Sequence, residues 1–309
     1  MNKEYCFCTL AIGQSYRNCA LLLARDLEFY APKTELFILT DKPRYFQQKS
    51  NIKAFKYQPI SCRIYNDKRI VISKALEFYQ SCIFVDANIR IKEQIPDSIN
   101  FKPGIVAYSC YNILKNFYKE NKSNPYHKEY LQRNKMFKFV QQVASYYQLN
   151  LEQVKFVFEG IFYIQKNEQY LQFIRYWELL ADYYEYQGLY NQEGLVIGLA
   201  AAAAGFPINY DEQKTVAIFK DVLEKYKIKV GKATYEENKD YFETLKKIEY
   251  PSVSFLHKVW NKISSKISFY YRVIKLNVRV LKYKEVFSDF SQMPFEELKD
   301  QNWNLAKKS

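Results

Sequence analysis

The chain has 309 residues, 48% of them hydrophobic, and a formal net charge of +13. This length and composition suit one large α/β domain with a smaller appendage, and they exclude a disordered chain as the starting expectation. Tyr and Phe are abundant, with 29 and 23 copies, and we favour a compositional bias over sugar-stacking platforms as the cause.

The compartment is predicted from the start of the chain, its longest apolar stretch and its cysteines. Residues 1–13 lack a long apolar region and a small-residue cleavage site, so they are predicted to form a first strand and not a signal peptide. The longest apolar stretch, residues 195–208, is shorter than the ~18 residues that span a bilayer. Six cysteines without paired spacing indicate reduced thiols in a cytoplasmic protein.

Strand and helix patterns alternate along the first half of the chain. Strands are predicted at residues 5–12, 35–39, 52–57, 83–85, 104–110 and 155–165, with helices over residues 20–30 and 68–79. Helical crossovers of this length imply a mixed, mostly parallel α/β sheet flanked by helices. Residues 111–135 are interpreted either as a lid over an active site or as a solvated connection.

The segment around Asp86 is the most informative part of the sequence. A short apolar run ends in Asp86, and Asn88 follows two residues later. Two oxygen ligands at the carboxyl end of a buried strand can meet a divalent cation and a diphosphate. This motif resembles the DxD metal motif of the GT-A nucleotide-sugar glycosyltransferases, and the resemblance covers roughly residues 4–210. It implies a Rossmann-like GT-A domain over residues 1–250 and a separate C-terminal region over residues 251–309.

The resemblance also implies a donor site. The turn after the first strand receives the nucleotide, a cation faces the diphosphate, and Ala87 lies between the two motif residues. Lys68, Arg69 and Lys74 are the candidate cations, and we choose Lys74, although a solvated helix lysine is the alternative. Asp41 matches a position that contacts the base or ribose, or else caps a helix. The implied donor-binding residues are Thr9, Ala11, Gly13, Tyr16, Asp41, Lys74, Asp86, Ala87 and Asn88.

Residues 156–205 resemble the acceptor side of family-8-like GT-A enzymes. The matching positions include Glu159, Trp177 and Glu193. Apolar residues flank Glu159 in the sequence, and burial of an acid among them is costly unless the acid has a partner or a function. Glu193 is either a site residue or a charge that interacts with a helix macrodipole. We predict Glu159 and Glu193 as the sugar-binding or catalytic carboxylates, and family-8 likeness favours a retaining hexosyltransferase.

The metal prediction is weakened by Asn88. The motif usually ends in a second Asp, and a neutral amide is a poorer ligand for Mn²⁺ or Mg²⁺. Some related enzymes add a late His, for which His257 is the candidate beside Asp86 and Asn88, although His257 also suits a helix face. Metal dependence is therefore left open.

Residues 255–284 contain eight Lys or Arg and no acid. Apolar residues at helical spacing predict a basic amphipathic helix, with Lys258, Lys262, Lys266, Arg272, Lys275 and Arg279 opposite the apolar face. Such a helix either binds the anionic inner face of a membrane or packs its apolar face on the catalytic domain.

These patterns together predict a cytoplasmic glycosyltransferase that is peripheral at the membrane and acts in polysaccharide biosynthesis. A UDP-linked sugar is the expected donor, and a glycan or lipid-linked saccharide is the expected acceptor. Nucleic acid is not expected as a partner, because the charge lies on one helix without a recognised motif. The alternatives are an inactive nucleotide-binding homologue, a nucleic-acid-binding protein and a metal-free homologue that serves as a subunit partner.

Overall fold

Short apolar runs form the strands of the protein. The computed structural model describes residues 5–96, 99, 101–117, 128–251 and 254–295, without the side chains of residues 128, 129, 257 and 258. The strands are β1 (Tyr5–Ala11), β2 (Leu36–Thr40), β3 (Ile52–Lys56), β4 (Ser81–Val85), β5 (Arg90–Ile91), β6 (Gly104–Ala107), β7 (Cys110–Asn112), β8 (Lys155–Val157), β9 (Ile161–Gln165), β10 (Ile208–Tyr210) and β11 (Ile218–Phe219).

Helices alternate with these strands and cover the sheet. They are α1 (Gln14–Tyr30), α2 (Lys68–Ala75), α3 (Lys128–Tyr146), α4 (Tyr170–Tyr186), α5 (Glu193–Ala204), α6 (Asp221–Lys229), α7 (Lys239–Glu249), α8 (Phe255–Val280) and α9 (Lys284–Gln292). Two buried apolar clusters lie on either side of the sheet, one beneath α2, α4 and α5 and the other beneath α1.

Seven strands form the central sheet in the order β10-β6-β9-β4-β1-β2-β3. Only β9 runs antiparallel to its two neighbours, β4 and β6. The prediction of a mixed, mostly parallel sheet flanked by helices is confirmed. Because β1, β2 and β4 run in parallel, their carboxyl ends share one edge, where ligands bind in open α/β sheets.

Two predicted strands are interrupted in the structure. Residues 155–165 form β8 and β9, separated by a turn at residues 158–160, and β8 pairs with β7 in a separate small sheet. Residues 104–110 likewise divide between β6 and β7. The prediction that Glu159 lies within a strand is therefore wrong, because Glu159 lies in the turn.

Helix α5 packs against the backbone of β8 at two glycines. A Cβ at Gly194 would lie 2.1 Å from the carbonyl oxygen of Val157, and a Cβ at Gly198 would lie 1.9 Å from that of Lys155. The small side chains in this helix therefore allow a close approach that carries the first residue of α5 to the carboxyl edge of the sheet.

We expect Gly198→Ala to destabilise the protein by about 1–3 kcal/mol, because the added methyl group meets a carbonyl oxygen. An alanine in an ordinary helix position would instead stabilise the helix by about 1 kcal/mol. Urea denaturation measures the difference, with Ala203→Gly, a half-buried position of the same helix, as the control for helix propensity. A more stable Gly198→Ala variant would contradict the close packing.

Among the described residues, helix α8 contacts the rest of the protein through one face. Leu276 and Val280 are buried, and Arg279 makes a two-pronged ion pair with the buried Asp182 of α4, at 2.7 Å for each contact. Arg272 donates to the carbonyl oxygen of Cys62. Arg272 and Arg279 lie opposite the apolar stripe as predicted, but both bond to the rest of the protein and are therefore not available to a membrane surface.

The opposite face of α8 is apolar and exposed. It carries Leu256, Trp260, Ile263, Ile267, Tyr270, Tyr271, Ile274, Val278 and Leu281, all exposed. This face does not pack on the rest of the protein within the described part of the chain. Among those same residues, no helix combines the length and hydrophobicity needed to cross a membrane. The six cysteines are free thiols, and five of them are buried.

Candidate active site

A cavity of about 610 Å³ opens beyond the carboxyl ends of β1 and β4. Its walls are the end of β1, a loop at residues 62–65, the start of α2, the end of β4, the turn at residues 158–160 and the start of α5. Lys220 closes one side, and Ser265 and Arg272 of α8 contribute from the C-terminal region. The cavity therefore combines segments that are far apart in sequence.

Asp86 lines this cavity because the fully buried β4 ends one residue before it, at the edge of the sheet. Its backbone N–H donates to the carbonyl oxygen of Gly160 at 2.8 Å. Its Oδ1 lies 3.3 Å from Lys68 Nζ, and its Oδ2 lies 2.5 Å from Lys220 Nζ. Burial alone would raise the pKa of Asp86, but Lys220 and Lys68 outweigh it and lower that pKa. Asp86 is therefore an ionised carboxylate held between two ammonium groups.

Lys68 begins α2 and points into the protein, with a side chain only 3% exposed. Its ammonium donates to the carbonyl oxygen of Glu159 at 2.9 Å and pairs with Glu193 Oε2 at 3.2 Å. Burial would lower its pKa, but Asp86 and Glu193 raise it above the ordinary value. Lys68 thus links three segments of the site and stays charged.

Glu193 is the first residue of α5 and is buried. The preceding residue, Gln192, has a left-handed backbone with φ of 62°, a conformation that non-glycine residues seldom adopt. Burial raises the pKa of Glu193 to about 8, Glu159 and Asp86 add to the rise, and the nearby ammonium of Lys68 offsets only part of it. A carboxyl group that changes charge near neutral pH is suited to acid–base chemistry.

Lys220 is the main residue that the sequence interpretation missed. It follows β11, which pairs antiparallel with β5, so that Phe219 lies opposite Arg90. The segment between β10 and β11 is held by the buried Asp211, which accepts hydrogen bonds from Tyr163 and Thr215. A two-residue strand is too short for a recognisable hydrophobic period, and no motif marks Lys220 as a partner of Asp86.

The loop at residues 60–67 is fixed by buried acids. Asp67 accepts the N–H groups of Ile60 and Ser61, at 3.0 and 3.1 Å. Glu185 of α4 accepts the N–H of Cys62 at 2.7 Å, and burial raises its pKa. These contacts hold the loop, and with it the wall of the cavity, in one conformation.

The structure brings seven of the predicted site residues to this cavity. They are Thr9, Tyr16, Asp86, Ala87, Asn88, Glu159 and Glu193. Their roles stay predictions, but their common location agrees with one site. His257 lies on α8, and its side chain is outside the described part of the structure.

Four other predicted residues do not line the cavity. Ala11 is buried in β1, and Gly13 donates its N–H to Asp41 at 3.3 Å. Arg17 donates to both carboxylate oxygens of Asp41, at 2.6 Å each. Burial would raise the pKa of Asp41, but these hydrogen bonds outweigh it and lower that pKa. Lys74 lies on the exposed side of α2 and pairs with Glu77 at 2.6 Å. The choice of Lys74 is therefore wrong, because of the three candidate cations on α2 it is Lys68 that lines the cavity.

The described parts of residues 111–135 do not contribute to the cavity wall. Ile113 and Phe117 are buried in the core cluster, and α3 begins at Lys128. Residues 118–127 lie outside the described part of the chain. The choice between a lid and a solvated connection stays open.

The predicted metal ligands do not fit a divalent cation in this arrangement. Both oxygens of Asp86 face ammonium groups, and the Nδ2 of Asn88 donates to Glu249 Oε1 at 2.9 Å. A divalent cation at Asp86 would meet the positive charge of Lys220 at close range. In the described part of the chain, no group of three or more His, Cys, Asp or Glu side chains is arranged to hold a metal.

No protein-family model matches the sequence, and no curated protein matches it. Among solved structures, the chain is similar to the galactosyltransferase LgtC in complex with donor and acceptor sugar analogues. That similarity has a TM-score of 0.43 and 10% sequence identity, and it covers 66% of this chain and 72% of that chain. At this level it carries no functional argument, so the function is argued from the cavity alone.

Proposed function

We propose that the protein is a GT-A-type glycosyltransferase that transfers a sugar from a nucleotide-diphosphate donor to a saccharide acceptor. The observation that carries the proposal is the cavity at the carboxyl ends of β1 and β4, where Asp86 meets Lys68 and Lys220 beside the buried Glu193. Paired cations suit a diphosphate, and carboxyl groups suit sugar hydroxyls. A UDP-linked donor, a hexosyl group and retention of configuration are the finer parts of this proposal.

In this proposal the donor lies along the carboxyl edge of the sheet. The nucleotide lies at the end of β1, where Thr9 lines the wall and the half-exposed ring of Tyr16 is available to stack on a base. The diphosphate lies toward Asp86 and the lysines, and the sugar lies toward Glu159 and Glu193. The cavity volume of about 610 Å³ is within the range of small-molecule sites.

Transfer needs three events at this site. The bond between the anomeric carbon and the diphosphate oxygen breaks, and its electron pair stays on the diphosphate. The acceptor oxygen forms the new bond to the anomeric carbon and loses its proton, for which Glu159 and Glu193 are the candidate bases. The burial of Glu193 keeps its pKa at about 8, which suits a group that accepts a proton near neutral pH.

A thermal-shift screen of nucleoside diphosphates and nucleotide sugars tests the proposal. A bound donor raises Tm because it stabilises only the folded state. We expect one nucleotide class to raise Tm in wild-type protein. If no nucleotide or nucleotide sugar raises Tm at any concentration, the cavity is not a donor site.

The exposed face of α8 is proposed to bind an anionic membrane surface. The apolar stripe from Leu256 to Leu281 is unusual for a soluble helix, and Lys266 and Lys275 are exposed on either side of it. Cations beside an apolar stripe complement anionic lipid headgroups. Because Ser265 and Arg272 of the same helix line the cavity, a membrane-bound α8 would hold the cavity close to a lipid-linked acceptor.

We expect replacement of Lys262, Lys266 and Lys275 by Gln to release the protein from vesicles that contain anionic lipid. Each cation near such a surface contributes about 1 kcal/mol, so the three together change the partition coefficient by about 10²-fold. Co-sedimentation at low and high salt measures the effect, with donor binding expected to be unchanged.

Exposed lysines elsewhere provide the matched control. Replacement of Lys229, Lys232 and Lys246 removes the same charge from other surfaces and should leave vesicle binding in place. Equal losses in both triple variants would indicate a general charge effect and not α8. Vesicle binding that is unchanged both by the α8 lysine substitutions and by high salt would contradict the electrostatic part of this proposal.

A further inference from the structure

The two lysines at Asp86 differ in the number of partners that they already have. Lys68 has three oxygen partners: it donates a hydrogen bond to the carbonyl oxygen of Glu159 at 2.9 Å, and it forms ion pairs with Asp86 Oδ1 at 3.3 Å and Glu193 Oε2 at 3.2 Å. Lys220 has one hydrogen-bond acceptor among the described residues, Asp86 Oδ2 at 2.5 Å. Lys68 therefore has a structural role, whereas Lys220 has ammonium hydrogens that it can still donate to a ligand.

Lys220 is also placed where a ligand can reach it. Its side chain is 16% exposed, compared with 3% for Lys68, and it lines the cavity. A Cβ at Gly160 would lie 3.1 Å from its Nζ, so the glycine leaves room for the ammonium group. The centroid of the Phe158 ring lies 5.6 Å from the same nitrogen, a distance at which the ring face attracts a cation.

The ammonium group of Lys220 lies beside the carboxylate of Asp86, where a divalent cation bound to that carboxylate would also lie. A cation bound to Asp86 would lie within a few ångströms of Nζ, and two positive centres repel at that distance. Asn88 adds no negative charge to offset this repulsion, because its side chain is a neutral amide and a weaker ligand than a carboxylate. The ammonium of Lys220 and a metal on Asp86 therefore exclude each other.

We propose that Lys220 binds the diphosphate of the donor in place of a divalent metal, with Asp86 and Lys68 holding it in position. This inference rests on the proposed function, because it assigns the diphosphate to the same cavity. Arg63 and Arg272 add positive charge to the cavity wall and favour an anionic ligand. When the anomeric bond breaks, the negative charge gained by the diphosphate is stabilised by the remaining hydrogens of Lys220.

Calorimetric binding of inorganic pyrophosphate and of a panel of nucleoside diphosphates, with EDTA present, tests the inference. We expect wild-type protein to bind at least one of these ligands with EDTA present, and the affinity to be unchanged when Mn²⁺ replaces EDTA. Lys220→Gln should weaken binding by about 10- to 100-fold, because it removes one charge-assisted hydrogen bond. Lys220→Arg keeps the charge and should restore part of the affinity.

Lys225→Gln is the matched control, because Lys225 lies on the adjoining α6 with an exposed side chain paired to Asp221. Circular dichroism and Tm establish that each variant is folded. Binding that requires Mn²⁺ in wild-type protein, or that is equal in Lys220→Gln and Lys225→Gln, would overturn the inference and leave the proposed function intact. If no pyrophosphate or nucleotide binds with or without Mn²⁺, the proposed function fails with it.

Discussion

Asp86→Asn is expected to reduce kcat/KM for sugar transfer by about 10²-fold or more while the protein remains folded. The amide keeps the shape of the side chain but removes the charge that holds Lys68 and Lys220, at 3.3 and 2.5 Å. A displacement of catalytic groups by about 1 Å costs up to 10²-fold in rate. Steady-state kinetics with the donor identified by the thermal-shift screen gives the value.

Glu77→Gln is the control for this variant. Glu77 is an exposed acid that pairs with Lys74 at the surface, so its neutralisation should leave turnover unchanged. A folded Asp86→Asn protein with full turnover would mean that this cavity does not carry out the reaction.

Glu193→Gln is expected to lower kcat by about 10²-fold and to change nucleoside diphosphate affinity much less. Glu193 lies on the sugar side of the proposed donor site, and a positioned carboxylate acts mainly in the transition state. Separate measurement of kcat and of nucleoside diphosphate binding distinguishes the two effects. An equal loss of kcat and of nucleoside diphosphate affinity would indicate that Glu193 contacts the nucleotide. Wild-type turnover would indicate that Glu193 has only a structural role.

The pH dependence of Glu193→Gln gives an independent test. Burial raises the pKa of Glu193 from its ordinary value of 4.5 to about 8. Below pH 4.5 the carboxyl group is protonated in both folded and unfolded chains, whereas between 4.5 and about 8 only the folded chain retains the proton. Stability from this group is therefore lost as pH rises, by up to about 1.4 kcal/mol per pH unit.

We therefore expect the stability of Glu193→Gln relative to wild type to increase between pH 5 and pH 8, in the window set by the pKa of about 8. Wild-type kcat should rise as the pH passes through about 8, and the variant should lack this rise. Denaturant titrations and rate profiles over this range provide the measurement. A constant difference in stability across the range would show that Glu193 is ionised throughout.

The central part of the site was predictable from the sequence because it depends on local patterns. The apolar run before Asp86 forms β4, and Glu193 begins a helix whose glycines pack against β8. Distance along the sequence favours Lys74 over Lys68 as the cation that faces the ligand. A crossover helix begins at the carboxyl edge of a parallel sheet, so its first residue is near the ligand, and Lys74 lies about 9 Å further along the axis.

The rest of the site depends on long-range pairing that no local pattern encodes. Lys220 reaches Asp86 only because β11 pairs with β5, and the register of two short strands is set by the folded protein. In α8, helical spacing identified the apolar stripe but not the direction of Arg272 and Arg279. Their buried partners, Cys62 and Asp182, belong to distant segments, so the sequence alone did not show which arginines face inward.

The most direct test of the central claim is release of nucleoside diphosphate from a panel of nucleotide sugars by the purified protein. We predict that one donor class is cleaved, and that Asp86→Asn and Glu193→Gln each slow the release while Glu77→Gln does not. Absence of release from every nucleotide sugar, with simple saccharide acceptors and lipid-linked acceptors both supplied, would contradict the assignment of this cavity to sugar transfer.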